Sequence, residues 1–124
     1  MLTKDHASDL FTKIRKYSSA DEVEVFFYSG RSALTRFANN VIHQNVAEEN
    51  SGVSVRTVFS GRTARASTNK LDDDSLKRVV EASENLARVQ QPDPDLVAMP
   101  STCGSGARDT RPSRNFAETA AITP

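Results

Sequence analysis

Apolar residues recur at steps of three and four near the start of the chain: Ala7, Leu10, Phe11, Ile14 and Tyr17. That spacing lays them on one stripe and predicts a helix over residues 4–17. Thr3 is placed to cap it, Asp5 suits the positive first turn, and Lys13, Arg15 and Lys16 suit the negative last turn. The pattern then changes to strict alternation. Val23, Val25 and Phe27 alternate with Glu22 and Glu24, which reads as a strand over 22–28. Phe26 and Tyr28 make its far end apolar on both sides. Gly30 reads as a turn.

Strands over 32–38 and 41–46 follow, joined at Asn39-Asn40, residues that tolerate the positive φ of a two-residue hairpin turn. This turn would set Phe37 against Ile42, Thr35 against Gln44 and Arg36 against His43. The polar run Ala47-Glu48-Glu49-Asn50-Ser51 reads as a connection. Residues 52–59 give the strongest strand, with Val53, Val55, Thr57 and Phe59 alternating against Ser54 and Arg56. Ser60-Gly61 is a second two-residue turn, and a strand over 62–68 returns from it. That turn would pair Thr57 with Ala64, Arg56 with Arg65 and Val55 with Ala66. A helix is predicted over 73–89, with Asp72 as its cap, Leu71 and Leu76 as a hydrophobic staple, and Leu76, Val79, Val80, Leu86 and Ala87 as its buried stripe. Glu84 and Arg88 form an i,i+4 pair contributing about 0.3 kcal/mol.

The expected fold is therefore α+β: a five-stranded antiparallel meander with two helices packed on one face. Its core would hold Leu10, Phe11, Ile14, Phe37, Ile42, Val53, Val55, Ala64, Ala66, Leu76, Val79, Val80 and Leu86. The uncovered face would show Arg36, His43, Asn45, Ser54, Arg56, Thr63, Arg65 and Ser67.

Composition divides the chain in two. All 5 prolines lie after Gln90, together with Gly104, Gly106 and scattered Ser and Thr. Residues 1–89 read as the folded domain and 90–124 as an irregular Pro/Gly-containing linker or unfinished segment. The 16 basic and 16 acidic residues balance, so no overall charge draws the chain toward nucleic acid or anionic membrane. No apolar run approaches the roughly 20 residues of a membrane helix, and the N-terminus lacks the apolar stretch of a signal peptide. A single cysteine, Cys103, cannot form an internal disulfide. A cytoplasmic setting is the expectation.

Candidate chemistry is sparse. A zinc site needs three or four close His, Cys, Asp or Glu ligands, and the chain has 2 histidines and 1 cysteine, far apart in sequence. His6 and Cys103 read as an incidental surface imidazole and thiol. Glu48-Glu49 reads as solvated, and Asp72-Asp73-Asp74 is accounted for by helix capping. No catalytic residue and no metal ligand is assigned. The constellation above background is basic: Arg36, Arg56 and Arg65, with His43, are expected on the uncovered face. The bland reading is a solvated sheet surface. The functional one is an interface for another domain, a subunit or an extended peptide.

Four motifs in sequence carry a resemblance: Ala20-Asp21-Glu22-Val23-Glu24-Val25, Gly52-Val53-Ser54-Val55-Arg56, Gly61-Arg62-Thr63-Ala64-Arg65-Ala66-Ser67-Thr68, and the helix Leu76–Ala82. In this order and spacing, the segment from Asp21 to Asp95 resembles the N-terminal domain of the TldD/PmbA family of metallopeptidases. The resemblance implies a cytoplasmic system that hydrolyses peptides or unfolded segments, assembled as a homo- or hetero-dimer of an active subunit and a partner lacking the metal motif. It implies zinc, held by a His-Glu-x-x-x-His motif in a later portion that this sequence does not contain. No cofactor, nucleic acid or membrane is expected for this chain itself. The expected function is that of a non-catalytic front domain contributing to a substrate cleft and a subunit interface, inactive alone. The alternative is a self-standing adaptor that binds through Arg36, Arg56 and Arg65. The terminal Ala120-Ala121-Ile122-Thr123-Pro124 reads as the opening of a further helix, so a truncated chain is expected.

Overall fold

The computed structural model describes residues 2–99. Five elements follow one another: α1 (Lys4–Tyr17), β1 (Glu22–Ala38), β2 (Val41–Phe59), β3 (Arg62–Thr68) and α2 (Asp73–Val89). Thr3 caps α1 by accepting from the His6 amide at 3.2 Å, and Asp72 caps α2 by accepting from the Ser75 amide at 3.0 Å. These bonds satisfy amides that a helix start otherwise leaves without partners. The Ser75 bonds hold the Asp72 carboxyl below its ordinary range.

Among the described residues the sheet has three antiparallel strands in the order β1-β2-β3. The five-stranded meander expected from sequence is not formed. Gly30 and the polar run 47–51 are not turns; they face each other inside one long hairpin, with Gly30 opposite Asn50, Arg31 opposite Glu49 and Ser32 opposite Glu48. Two polar stretches that look like breaks in the sequence pair across a ribbon instead. Where both faces of a strand meet water, polarity does not interrupt it, because alternation signals a strand only when one face is buried. The real reversals are at Asn39-Asn40 (φ 51° and 58°) and Ser60-Gly61 (φ 47° and 76°). Such left-handed pairs match the twist of hairpin strands.

Register follows from these turns. From Ser60-Gly61, Thr57 pairs with Ala64, Arg56 with Arg65 and Val55 with Ala66, as expected. From Asn39-Asn40, Phe37 meets Ile42, but a register shift between Arg36 and Phe37 sets Arg36 against Gln44 and Thr35 against Asn45. His43 is therefore not the partner of Arg36.

Both helices cover the same face. Leu10 and Ile14 from α1, Val53 and Val55 from β2, and Leu76, Val79 and Val80 from α2 form the buried cluster, with Val23, Val25, Phe27, Ala66 and Leu71 packed around it. Burying each such aliphatic side chain contributes about 1.5–3 kcal/mol. Steps of four, three and four from Leu76 reach Val80, Ser83 and Ala87, all buried. Leu86 stands about 100° off that stripe and is exposed, as is Phe11, contrary to expectation. Small Ser83 lets α2 approach the sheet. Its hydroxyl lies 2.9 Å from that of Thr57 and donates to the Ala64 carbonyl at 3.1 Å.

Beyond the helices the β1–β2 hairpin continues as an arm whose base meets the N-terminal segment, where the Leu2 amide donates to Ser29 Oγ at 3.1 Å. From the pair Ser29–Ser51 to the pair Ala38–Val41 no third strand joins it among the described residues. This arm is about 30 Å long at strand spacing. Phe37 and Ile42, expected in the core, lie near its tip and are 75% and 65% exposed. After α2 the chain returns irregularly to the sheet: the Asp93 amide donates to the Gly61 carbonyl and the Met99 amide to Glu22 Oε2, each at 2.8 Å. Residues 100–124 of the expected tail, Cys103 and the terminal helix signal lie outside the described residues.

Candidate functional site

The face of the sheet opposite the helices carries Arg56 and Arg65 side by side. Strand alternation places Glu22, Glu24, Phe26 and Tyr28 of β1 there, with Ser54, Arg56 and Val58 of β2 and Thr63, Arg65 and Ser67 of β3. One row crosses all three strands: Glu24 opposite Arg56, and Arg56 opposite Arg65. Like charges directly opposite are destabilising. Glu24 answers both: its Oε2 lies 2.6 Å from Arg56 Nε, and Arg65 Nη2 approaches its Oε1 at 3.3 Å. Arg65 Nη1 also donates to Ser54 Oγ at 3.1 Å, and the Ser67 hydroxyl donates to Ser54 Oγ at 3.3 Å. Two guanidinium groups share one carboxylate, so the row keeps one net positive charge. All three side chains are partly exposed and screened, so the ion pairs add at most about 1 kcal/mol each.

The structure brings Arg56 and Arg65 together and leaves Arg36 and His43 apart from them. Arg36 lies twelve residues along β1 from Glu24, about 40 Å at strand spacing. His43 sits at the register shift on the arm. Alternation alone places Glu24 on the polar face and does not mark it as the partner of the arginines. That pairing needs the β1–β2 register, which a five-strand reading cannot supply. The same face also bears a glycine held for a reason. Gly52 pairs with Tyr28, and a Cβ on Gly52 would collide with the Tyr28 ring, whose Cε1 would be 2.8 Å away.

A second polar cluster is buried on the other side. Glu84 of α2 reaches the chain entering β1: Ser18 Oγ and the Ser19 amide donate to its Oε1 at 2.8 and 2.7 Å, and Ser19 Oγ donates to its Oε2 at 2.9 Å. Arg88 closes the set at 3.3 Å and stacks over the Phe59 ring, 4.7 Å from its centroid. Burial, the largest single influence on the Glu84 carboxyl, pushes its pKa up. The Ser18 and Ser19 bonds with the Arg88 charge together outweigh it, and the net direction is down. The sequence showed only the Arg88 pair. The serines lie about 65 residues away in sequence, and no local pattern links them. This cluster ties α2 to the α1–β1 connection.

The serine hydroxyls of the second cluster donate to Glu84, whose carboxyl is held below its ordinary range and so is a weak base. Among the described residues no three His, Cys, Asp or Glu side chains stand together closely enough to hold a metal ion. The zinc implied by the resemblance therefore has no fitting donor set in them. Among the same residues no helix is long and apolar enough to cross a membrane. The open face presents a row of described residues with one net positive charge.

A profile of PmbA/TldA metallopeptidase domain 1 matches residues 23–87, which takes in most of the sheet and nearly all of α2. The fold is similar to that of TldE from Thermococcus kodakarensis, with a TM-score of 0.66 at 20% identity, over 76% of this chain and 21% of that one. It is also similar to a protein described as a candidate modulator of DNA gyrase from Bacteroides thetaiotaomicron, with a TM-score of 0.71 at 20% identity, over 100% of this chain and 28% of that one. The chain thus spans less than a third of the length of either structure. No curated protein is significantly similar to it.

Proposed function

This chain belongs to the TldD/PmbA metallopeptidase family, whose first domain it carries, and we propose that it serves there as a support rather than as the reaction centre. In this reading it contributes a wall of the substrate cleft and part of a subunit interface to a cytoplasmic peptidase that acts on peptides or unfolded segments. The match across β1, β2, β3 and α2 carries the proposal. No step of hydrolysis is assigned to this chain. What its own residues do is hold a surface: the Glu24–Arg56–Arg65 row offers one net positive charge toward carboxylates of a bound chain or a partner. The adaptor reading is less favoured, because only two of its three arginines stand together.

The test is complementation. A zinc-bearing family subunit lacking its own first domain is mixed with the purified chain, and cleavage of an unfolded protein substrate is followed. Restored, chelator-sensitive cleavage is expected. Failure both to bind that subunit and to restore cleavage overturns the proposal.

A further inference from the structure

Two glycines lie on the open face of the β1–β2 hairpin, and the fold demands one of them. Gly52 pairs with Tyr28 and leaves the room that the Tyr28 ring occupies. Gly30 has no such duty. Its φ lies outside the left-handed region, and a Cβ built on it would meet nothing within 4 Å. Glycine inside a strand lowers stability, and where the backbone does not need it, it marks a place where another chain or a ligand comes close. The missing side chain leaves a hollow of about 330 Å³ lined by Tyr28, Ser29, Gly30, Arg31, Ser32 and Asn50. Leu2 meets Ser29, and alternation puts Ser29 on the helix side of the sheet. That contact leaves the Gly30 side uncovered.

The neighbours of Gly30 on this face set out a track. By twos along β1 come Tyr28, Phe26 and Glu24, opposite Gly52, Ser54 and Arg56. Tyr28 and Phe26 are 44% and 58% exposed. The last row holds Arg56 and Arg65, whose two charges share the single Glu24 carboxylate. The track therefore runs from hollow, over two aromatic rings, to surplus positive charge. Its ends are about 20 Å apart at strand spacing. An extended peptide has the same repeat: residues i, i+2, i+4 and i+6 share one side and span the same distance. We propose that this track binds an extended peptide segment with a carboxylate six residues from a bulky apolar side chain. The carboxylate lies at Arg56 and Arg65, two intervening side chains lie against Phe26 and Tyr28, and the apolar side chain fills the Gly30 hollow. This rests on the cleft-wall reading above and names what that wall recognises. A single-stranded nucleic acid also uses rings and guanidinium groups, but Glu24 cancels one of the two charges, which suits one carboxylate and not a run of phosphates. The contact is much smaller than a standard interface, so binding is weak.

Fluorescence anisotropy with the full chain, titrated to about 1 mM, reads binding of a labelled seven-residue peptide. Glutamate and phenylalanine stand at its ends, leucine at the third and fifth positions, serine between, and both termini are blocked. It is made in both orders, because side-chain contacts do not fix chain direction; saturable binding of at least one is expected. Changing its glutamate to glutamine, or deleting one serine so that phenylalanine falls on the other side, should weaken binding at least about tenfold. Gly30→Val fills the hollow with a strand-favouring side chain; its Tm should equal or exceed the parent's while binding falls by a similar factor. R56Q/R65Q should bind the glutamate peptide no better than the glutamine one, and Ile42→Ser, near the arm tip, should change nothing. No saturable binding of either order, undiminished binding to Gly30→Val, a markedly lower Tm for that variant, or tighter binding of single-stranded oligothymidylate than of peptide would each overturn the proposal. Absent peptide binding with cleavage still restored in the complementation assay removes this inference alone; failed complementation overturns the cleft-wall reading whatever the peptide does.

Discussion

Removing the Glu84 carboxylate asks whether α2 is held by a surface ion pair or by a buried anchor. An exposed i,i+4 pair contributes about 0.3–0.5 kcal/mol. The structure gives Glu84 three further hydrogen bonds, from Ser18 Oγ, the Ser19 amide and Ser19 Oγ. A bond to a charged acceptor contributes about 1.5–3 kcal/mol, and a stranded amide costs a similar amount. The two hydroxyls can turn to water, since Ser19 is exposed and Ser18 half-buried, so the full sum is not expected. Glu84→Ala should cost about 2–3 kcal/mol, or about 10–20 °C in Tm for a domain of this size. Arg88→Ala should cost about 1 kcal/mol, most of it from the lost stacking on Phe59.

Urea denaturation followed by circular dichroism reads both variants. pH supplies an independent check. Because the folded carboxyl titrates below its ordinary range, its contribution is complete above the unfolded titration and disappears as pH falls through the folded one. Glu84→Gln should therefore be less stable than the parent at neutral pH, and the gap should close in acid. A Glu84→Ala cost no larger than that of Arg88→Ala, or a gap that persists unchanged below the folded titration, would refute the anchor.

Gly52→Ala should cost about 1 kcal/mol by forcing Tyr28 from its place, and in a Tyr28→Ser background the same change should cost little; a double-mutant cycle in urea checks the coupling. Ser83→Ala leaves the Thr57 hydroxyl and the Ala64 carbonyl without their buried partner, and should cost about 1–2 kcal/mol in the same assay. Asn40→Ala should weaken the arm turn by about 1 kcal/mol, since alanine lacks asparagine's tolerance of positive φ. Hydrogen exchange should then quicken in the arm and not in Val53–Thr57.

Local patterns made the helices and the second hairpin legible. Caps at Thr3 and Asp72 and the stripes of α1 and α2 are encoded within a few residues. The Ser60-Gly61 turn fixed the β2–β3 register, because a two-residue turn leaves one pairing open. The arm was not legible, since its polar middle resembles two loops until the strands are seen to pair. For the same reason Phe37 and Ile42 looked like core: alternation reports which side chains share a face, not whether anything covers it. At the candidate site, the pairing of Arg56 with Arg65 was readable from the turn. Glu24 and the Ser18–Ser19–Glu84 cluster were not, because both depend on long-range placement.

The central claim is that this chain supports a reaction carried out elsewhere. The direct test is to equilibrate the purified 124 residues with zinc, remove the excess, and measure bound metal by mass spectrometry alongside cleavage of an unfolded substrate. The account predicts well under one equivalent of metal and no cleavage. One tightly held equivalent, with cleavage abolished by a chelator, would contradict it.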